Sequence, residues 1–191
     1  MALSKILGRQ STGWNSIPRP LQVFLLRGAC ILVGWKCLYW LWLGPAHQPD
    51  GFLTSLTAKL TAWVFGLLSP QMQPATVPGH DVLITALVNG AHTTVISVAD
   101  ACNALQLMVL FAGFVFSVPV PLRRQLPYVF TGLLIIIAAN VLRCLGLIYV
   151  YIDFPNVFPF AHHYFFTLAI YLIVFLIWKR LIKEWMLYEK K

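Results

Sequence analysis

The stretch Val98-Ala99-Asp100-Ala101-Cys102-Asn103-Ala104-Leu105 closes a polar segment of β-strand composition and opens a long apolar run. On its C-terminal side, Ala104 to Val118 is almost wholly apolar and stops at Pro119-Val120-Pro121-Leu122-Arg123-Arg124. On its N-terminal side, Val82 to Val88 and Thr93 to Val98 are rich in β-branched residues and are separated by Asn89-Gly90-Ala91-His92, a turn signal. The spacing predicts a small β-hairpin that leads directly into Cys102, with the thiol at the start of a membrane helix over about residues 102–118.

Three further membrane-sized runs flank this centre. Residues 21–43, 128–149 and 161–178 are each close to the roughly 20 apolar residues that a bilayer core requires. The aromatic end of the first, with Trp35, Tyr39, Trp40 and Trp42, has the composition of an interfacial belt. Gly51 to Leu68 mixes Phe, Leu, Trp and Val with Thr, Ser and Lys59, which predicts an amphipathic helix outside the membrane. The expected fold is therefore an all-α membrane protein: one integral membrane domain over 1–191, a four-helix transmembrane bundle with an external segment over 44–101 that holds the amphipathic helix and the hairpin.

Composition points the same way. The chain is 59% hydrophobic and 10% charged, with a mean hydropathy of +0.76, outside the range of soluble domains. The net charge of +8 forms no basic stripe interleaved with aromatics, so no nucleic-acid partner is expected. The charges work as topology signals. Asp50, Asp81, Asp100 and Asp153 and all five histidines fall in or beside segments assigned outside, whereas the Lys and Arg clusters fall inside. Both termini are then cytoplasmic, in an inner (cytoplasmic) membrane whose lipid is the surrounding partner. The basic N-terminus lacks a short apolar region with a small-residue cleavage site and is expected to be retained.

The same topology brings three unusual groups to one level. Arg143 lies about fifteen residues into a span starting near Tyr128, roughly 22 Å up a core of about 30 Å. Cys102 opens the second span from outside, and His162-His163 open the fourth. A thiolate is favoured by a neighbouring imidazole or guanidinium, histidine can carry the proton to a leaving amine, and a fixed guanidinium stabilises an oxyanion. Cys102, Arg143, His162 and His163 are thus candidate catalytic residues for amide cleavage through a thioester. His162 is preferred to His163 because it shares a face with Phe165, Phe166 and Ala169. Each residue also has a plainer reading: packing for the cysteine, snorkelling or pairing with Asp153 for the arginine, an interfacial position for the histidines. Cys30, Cys37 and Cys144 lie in apolar runs as small hydrophobes, and neither a metal site nor a cofactor is expected.

Asp100-Ala101-Cys102-Asn103-Ala104-Leu105, Asn140-Val141-Leu142-Arg143 and His162-His163-Tyr164 after a Pro-containing loop together resemble the exosortase and archaeosortase family of membrane cysteine transpeptidases, especially its short bacterial exosortase X-like members. The resemblance covers roughly residues 80–180. It implies a Cys, Arg, His set at Cys102, Arg143 and one of His162 or His163. The implied partner is a secreted protein whose C-terminal sorting tail comprises a short motif, one membrane helix and a basic cluster; the tail is cleaved and the protein passed to an envelope acceptor. Two departures stand out. The family often places glycine just after the cysteine, in a Cys-Ser-Gly-like pattern, where this chain has Cys102-Asn103-Ala104, and many members have more spans. The competing function is a non-catalytic scaffold of an envelope or polysaccharide assembly system. A transporter is disfavoured, since Arg143 and Asn140 stand almost alone among the polar groups of the later spans.

Overall fold

The computed structural model describes residues 18–46, 49–118 and 120–188. Residues 1–17 and 189–191, expected to be cytoplasmic, lie outside that range. Helix α1 (Arg19–Leu38) starts at Pro18 with Pro20 in its first turn, where a missing N–H costs nothing, and widens into a π-helical turn at Tyr39–Leu43. Its apolar side chains, among them Leu26, Val33, Trp40 and Leu41, are largely exposed, as on a helix that faces lipid.

Helix α2 (Asp50–Leu68) inverts the expected amphipathicity. Thr54, Thr57 and Thr61 are buried beside Ala58, Ala62 and Phe65, whereas Phe52, Trp63, Leu67 and Leu68 point outward. Small residues let neighbouring backbones approach, and large apolar ones suit lipid. Its 19 residues are, by length and composition, also apolar enough to cross a membrane. Its buried face packs on the sheet and on Leu145, Leu147 and Ile148.

The hairpin is present and is one strand larger than expected. Strands β1 (Ala75–Val77), β2 (Val82–Val88) and β3 (Ala91–Val98) form an antiparallel sheet in the order β1-β2-β3. The β2–β3 turn narrows to Asn89 and Gly90, both left-handed at φ 51° and 82°, the backbone of a type I′ hairpin turn. Pairing runs from Ile84↔Ile96 to Thr85↔Thr94. Val95 is thus the extra residue of a β-bulge, and Val95 and Ile96 both face the core.

Beyond the sheet a 3₁₀ turn (Asp100–Cys102) leads to α3 (Leu105–Ser117). With 13 residues, about 20 Å of helix, α3 is shorter than the span expected over 102–118, and Cys102 sits in the turn before it. Helix α4 (Leu122–Asp153) is longer than expected because Pro127 lies within it. The bond Pro127 cannot make is to the carbonyl of exposed Arg123, in the first turn, where solvent can replace it. A 3₁₀ turn (Pro155–Val157), the single turn α5 (Phe158–Phe160) and a π-helical stretch (Ala161–Phe165) then run into α6 (Phe166–Tyr188). Together with α1 and its π turn, α2 and α4, the segment Pro155–Lys183 makes four stretches among the described residues that are long and apolar enough to cross a bilayer.

Two apolar cores result. One joins α2, the sheet and the C-terminal third of α4; the other joins Met108, Phe111 and Val115 of α3 to Ile136 of α4 and Val174 and Leu181 of α6. In the second, α3 and α4 cross so closely that a Cβ at Gly132 would meet the Phe111 ring. Polar groups gather where the two cores meet.

Candidate active site

Cys102 is held by its neighbours rather than by its own side chain. Its N–H bonds the Ala99 carbonyl at 2.8 Å and that of Asn103 bonds the Asp100 carbonyl at 3.3 Å, closing the 3₁₀ turn. The next link is a buried polar network. Asn103 Nδ2 donates to Asp50 Oδ1 at 2.8 Å, Tyr39 Oη donates to Asp50 Oδ2 at 2.9 Å, and Thr54 Oγ1 donates to Asp100 Oδ1 at 2.8 Å. Asn103 Oδ1 accepts the Leu105 N–H at 2.9 Å, an Asx turn that satisfies the first free N–H of α3. From the opposite side Asn140 Nδ2 donates to the Cys102 carbonyl at 2.7 Å. Elements far apart in sequence (the π turn after α1, α2 and α4) thus converge on one four-residue loop.

Ala104 completes this loop in the left-handed region, at φ 63° and ψ 11°. A non-glycine residue there strains by about 1–2 kcal/mol. This is the position at which the resembling pattern carries glycine, a residue that adopts the left-handed region without that strain.

His162 is brought to the thiol. Its Nε2 lies 3.9 Å from Cys102 Sγ, within reach of a sulfur hydrogen bond. Phe158 lies parallel to the imidazole, with ring centroids 5.9 Å apart, and His163 meets it edge-on at 4.9 Å. The π-helical stretch shifts the register by one residue, so His162 turns inward, half-buried, while His163 and Tyr164 are exposed. Single π turns of this kind recur at functional sites. Gly146 of α4 makes room for Phe166, whose ring would lie 2.5 Å from an added Cβ.

Arg143 stands one helical turn from Asn140 on α4, and both line a cavity of about 440 Å³ with Tyr39, Asp50, Asp100 and Asn103. Its guanidinium is within electrostatic reach of His162. The structure gives it no direct contact with Cys102, and its Nε is buried without a partner. Since the N–H groups of Cys102 and Asn103 are committed to carbonyls within the turn, Arg143 is the strongest remaining cationic donor for an oxyanion formed there.

Of the four residues singled out by sequence, the structure unites Cys102 with His162, sets Arg143 in the adjoining cavity and leaves His163 outside. Sequence reasoning missed Tyr39, Asp50 and Thr54. The available signal was an aspartate and a threonine one turn apart at the start of an otherwise apolar helix.

A comparison with family models matches residues 6–179 to the family described as Transmembrane exosortase (Exosortase_EpsH). Neither the curated proteins nor the solved structures yield a match. With a match that spans nearly the whole chain, and with the cysteine turn and its facing histidine assembled between the two cores, the chain belongs to the transmembrane exosortase family.

Proposed function

We propose that this protein is a membrane cysteine endopeptidase and transpeptidase that removes the C-terminal sorting tail of secreted proteins. The observation that carries the proposal is the 3.9 Å approach of Cys102 Sγ and His162 Nε2 beside a cavity lined by Arg143. The proton of the Cys102 thiol passes to His162 Nε2, and the sulfur attacks the scissile carbonyl. Arg143 stabilises the oxyanion. As the carbon–nitrogen bond breaks, the His162 imidazolium gives its proton to the leaving amine, and the secreted domain remains as a thioester on Cys102. An acceptor nucleophile, losing its proton to His162, then attacks the thioester and restores the thiol.

The site meets α4 in its C-terminal half, at Asn140 and Arg143, away from the Arg123-Arg124 pair at its start. By the positive-inside rule that pair faces the cytoplasm, which puts the site at the outer face of the cytoplasmic membrane, where an exported substrate arrives. The test is co-expression with a reporter that bears a short motif, a membrane helix and a basic cluster at its C-terminus. Loss of the tail, abolished by Cys102→Ala, is the expected result. Unchanged processing or assembly in Cys102→Ala would favour a scaffold.

A further inference from the structure

Asn140 is 1% exposed and uses only half of its amide. Nδ2 holds the Cys102 carbonyl, which fixes the orientation of the group and leaves Oδ1, a strong acceptor, buried without a partner among the described residues. One turn away the Nε of Arg143, a donor, is buried and unpartnered as well. Both side chains line the same cavity of about 440 Å³. Positions three apart on a helix share a face, so an acceptor and a donor are offered side by side. Leaving a buried polar atom unsatisfied is unfavourable, and a cost met twice at one place calls for a ligand that satisfies both.

We infer that Asn140 Oδ1 and Arg143 Nε together bind the main chain of one extended residue of the substrate, next to the bond that Cys102 attacks. The chemistry is complementary. In an extended peptide the N–H and C=O of a single residue point to the same side, as in the hydrogen-bonded pairs of an antiparallel ladder. Asn140 accepts the N–H and Arg143 donates to the C=O. Because the same amide of Asn140 also grips the Cys102 carbonyl, the substrate backbone is referenced directly to the backbone of the nucleophile. Such a site recognises any peptide in an extended form and leaves side-chain selection to other contacts. The inference rests on Cys102 being a reactive thiol open to peptides.

The probe is acetyl-trialanyl chloromethyl ketone together with three analogues, each with one amide replaced by an ester, which removes one N–H and keeps the shape. The full-length protein in detergent is treated with each reagent, and alkylation of Cys102 is followed by mass spectrometry. One ester should react about tenfold more slowly than the all-amide reagent. Asn140→Ala should erase that difference; Asn140→Leu, close in volume, serves in its place if the Ala protein does not accumulate. Asn140→Asp keeps an acceptor oxygen but loses the donor to Cys102, and it should retain the discrimination. A purely structural role for Asn140 would instead group Asp with Ala. Equal rates for all four reagents, or a difference that survives Asn140→Ala, would overturn the inference alone. Failure of every reagent to alkylate Cys102 would overturn it together with the nucleophile assignment.

Discussion

Cys102 owes its place to the residues on either side of it. Asn103 anchors the turn from below and Ala104 bends it in the left-handed region. A glycine at 104 would remove the steric strain there, so Ala104→Gly should stabilise the protein by about 0.5–1 kcal/mol. That corresponds to a rise of roughly 1–4 °C in thermal midpoint for a chain of this size, measurable in detergent, while Ala104→Val should lower it. The two histidines differ more sharply. His162 faces the thiol and His163 does not. Loss of a positioned general acid and base typically costs 10²–10⁴-fold, so His162→Ala should slow thioester formation by that order, and His163→Ala by less than tenfold, when the rate of substrate trapping on Cys102 is measured.

At the scale of elements, the site exists because α2 and α4 clamp the turn between them through Asp50, Thr54 and Asn140. Asn103→Ala would leave buried Asp50 with Tyr39 as its remaining side-chain donor and free the Leu105 N–H at the start of α3. A destabilisation of about 2–4 kcal/mol follows from the loss of these two buried hydrogen bonds, to be read from chemical denaturation in mild detergent. The sequence made some of these elements plain and hid others for identifiable reasons. The β-branched residues of Val82 to Val88 and Thr93 to Val98 and the Asn89-Gly90 pair announced the hairpin, whereas β1, three residues long within a proline-rich stretch, is too short to be seen. Thr54, Thr57 and Thr61 looked like a polar outer face, yet they are the packed one, because helix pattern alone does not say whether water or lipid lies outside. The Cys102, Arg143 and His162 level was legible from counting residues along spans. The choice between adjacent histidines depends on a π-helical turn, a register shift invisible in residue types.

For the whole molecule, the proposed topology holds the core of α3, α4 and α6 within the bilayer and sets the sheet beyond it. Sidedness then follows from charge. In a background lacking all four native cysteines, cysteines at His92 and Asn156 should react with a membrane-impermeant maleimide in intact cells. Cysteines at Arg123 and Lys183 should react only after permeabilisation. All four positions are exposed in the folded chain, so a failure to label reports the membrane and not burial. The opposite pattern would move the site to the cytoplasmic face and remove it from exported substrates.

The central claim is that Cys102 carries the substrate as a thioester with His162 as its proton carrier. Its most direct test is mass spectrometry of the intact enzyme after a brief exposure to a tail-bearing substrate. The account predicts an adduct on Cys102 that hydroxylamine releases. It should be retained when Cys30, Cys37 and Cys144 are all alanine, be strongly reduced in His162→Ala and be absent in Cys102→Ala. Tail removal at the wild-type rate by Cys102→Ala, with no hydroxylamine-labile adduct on any protein, would contradict it.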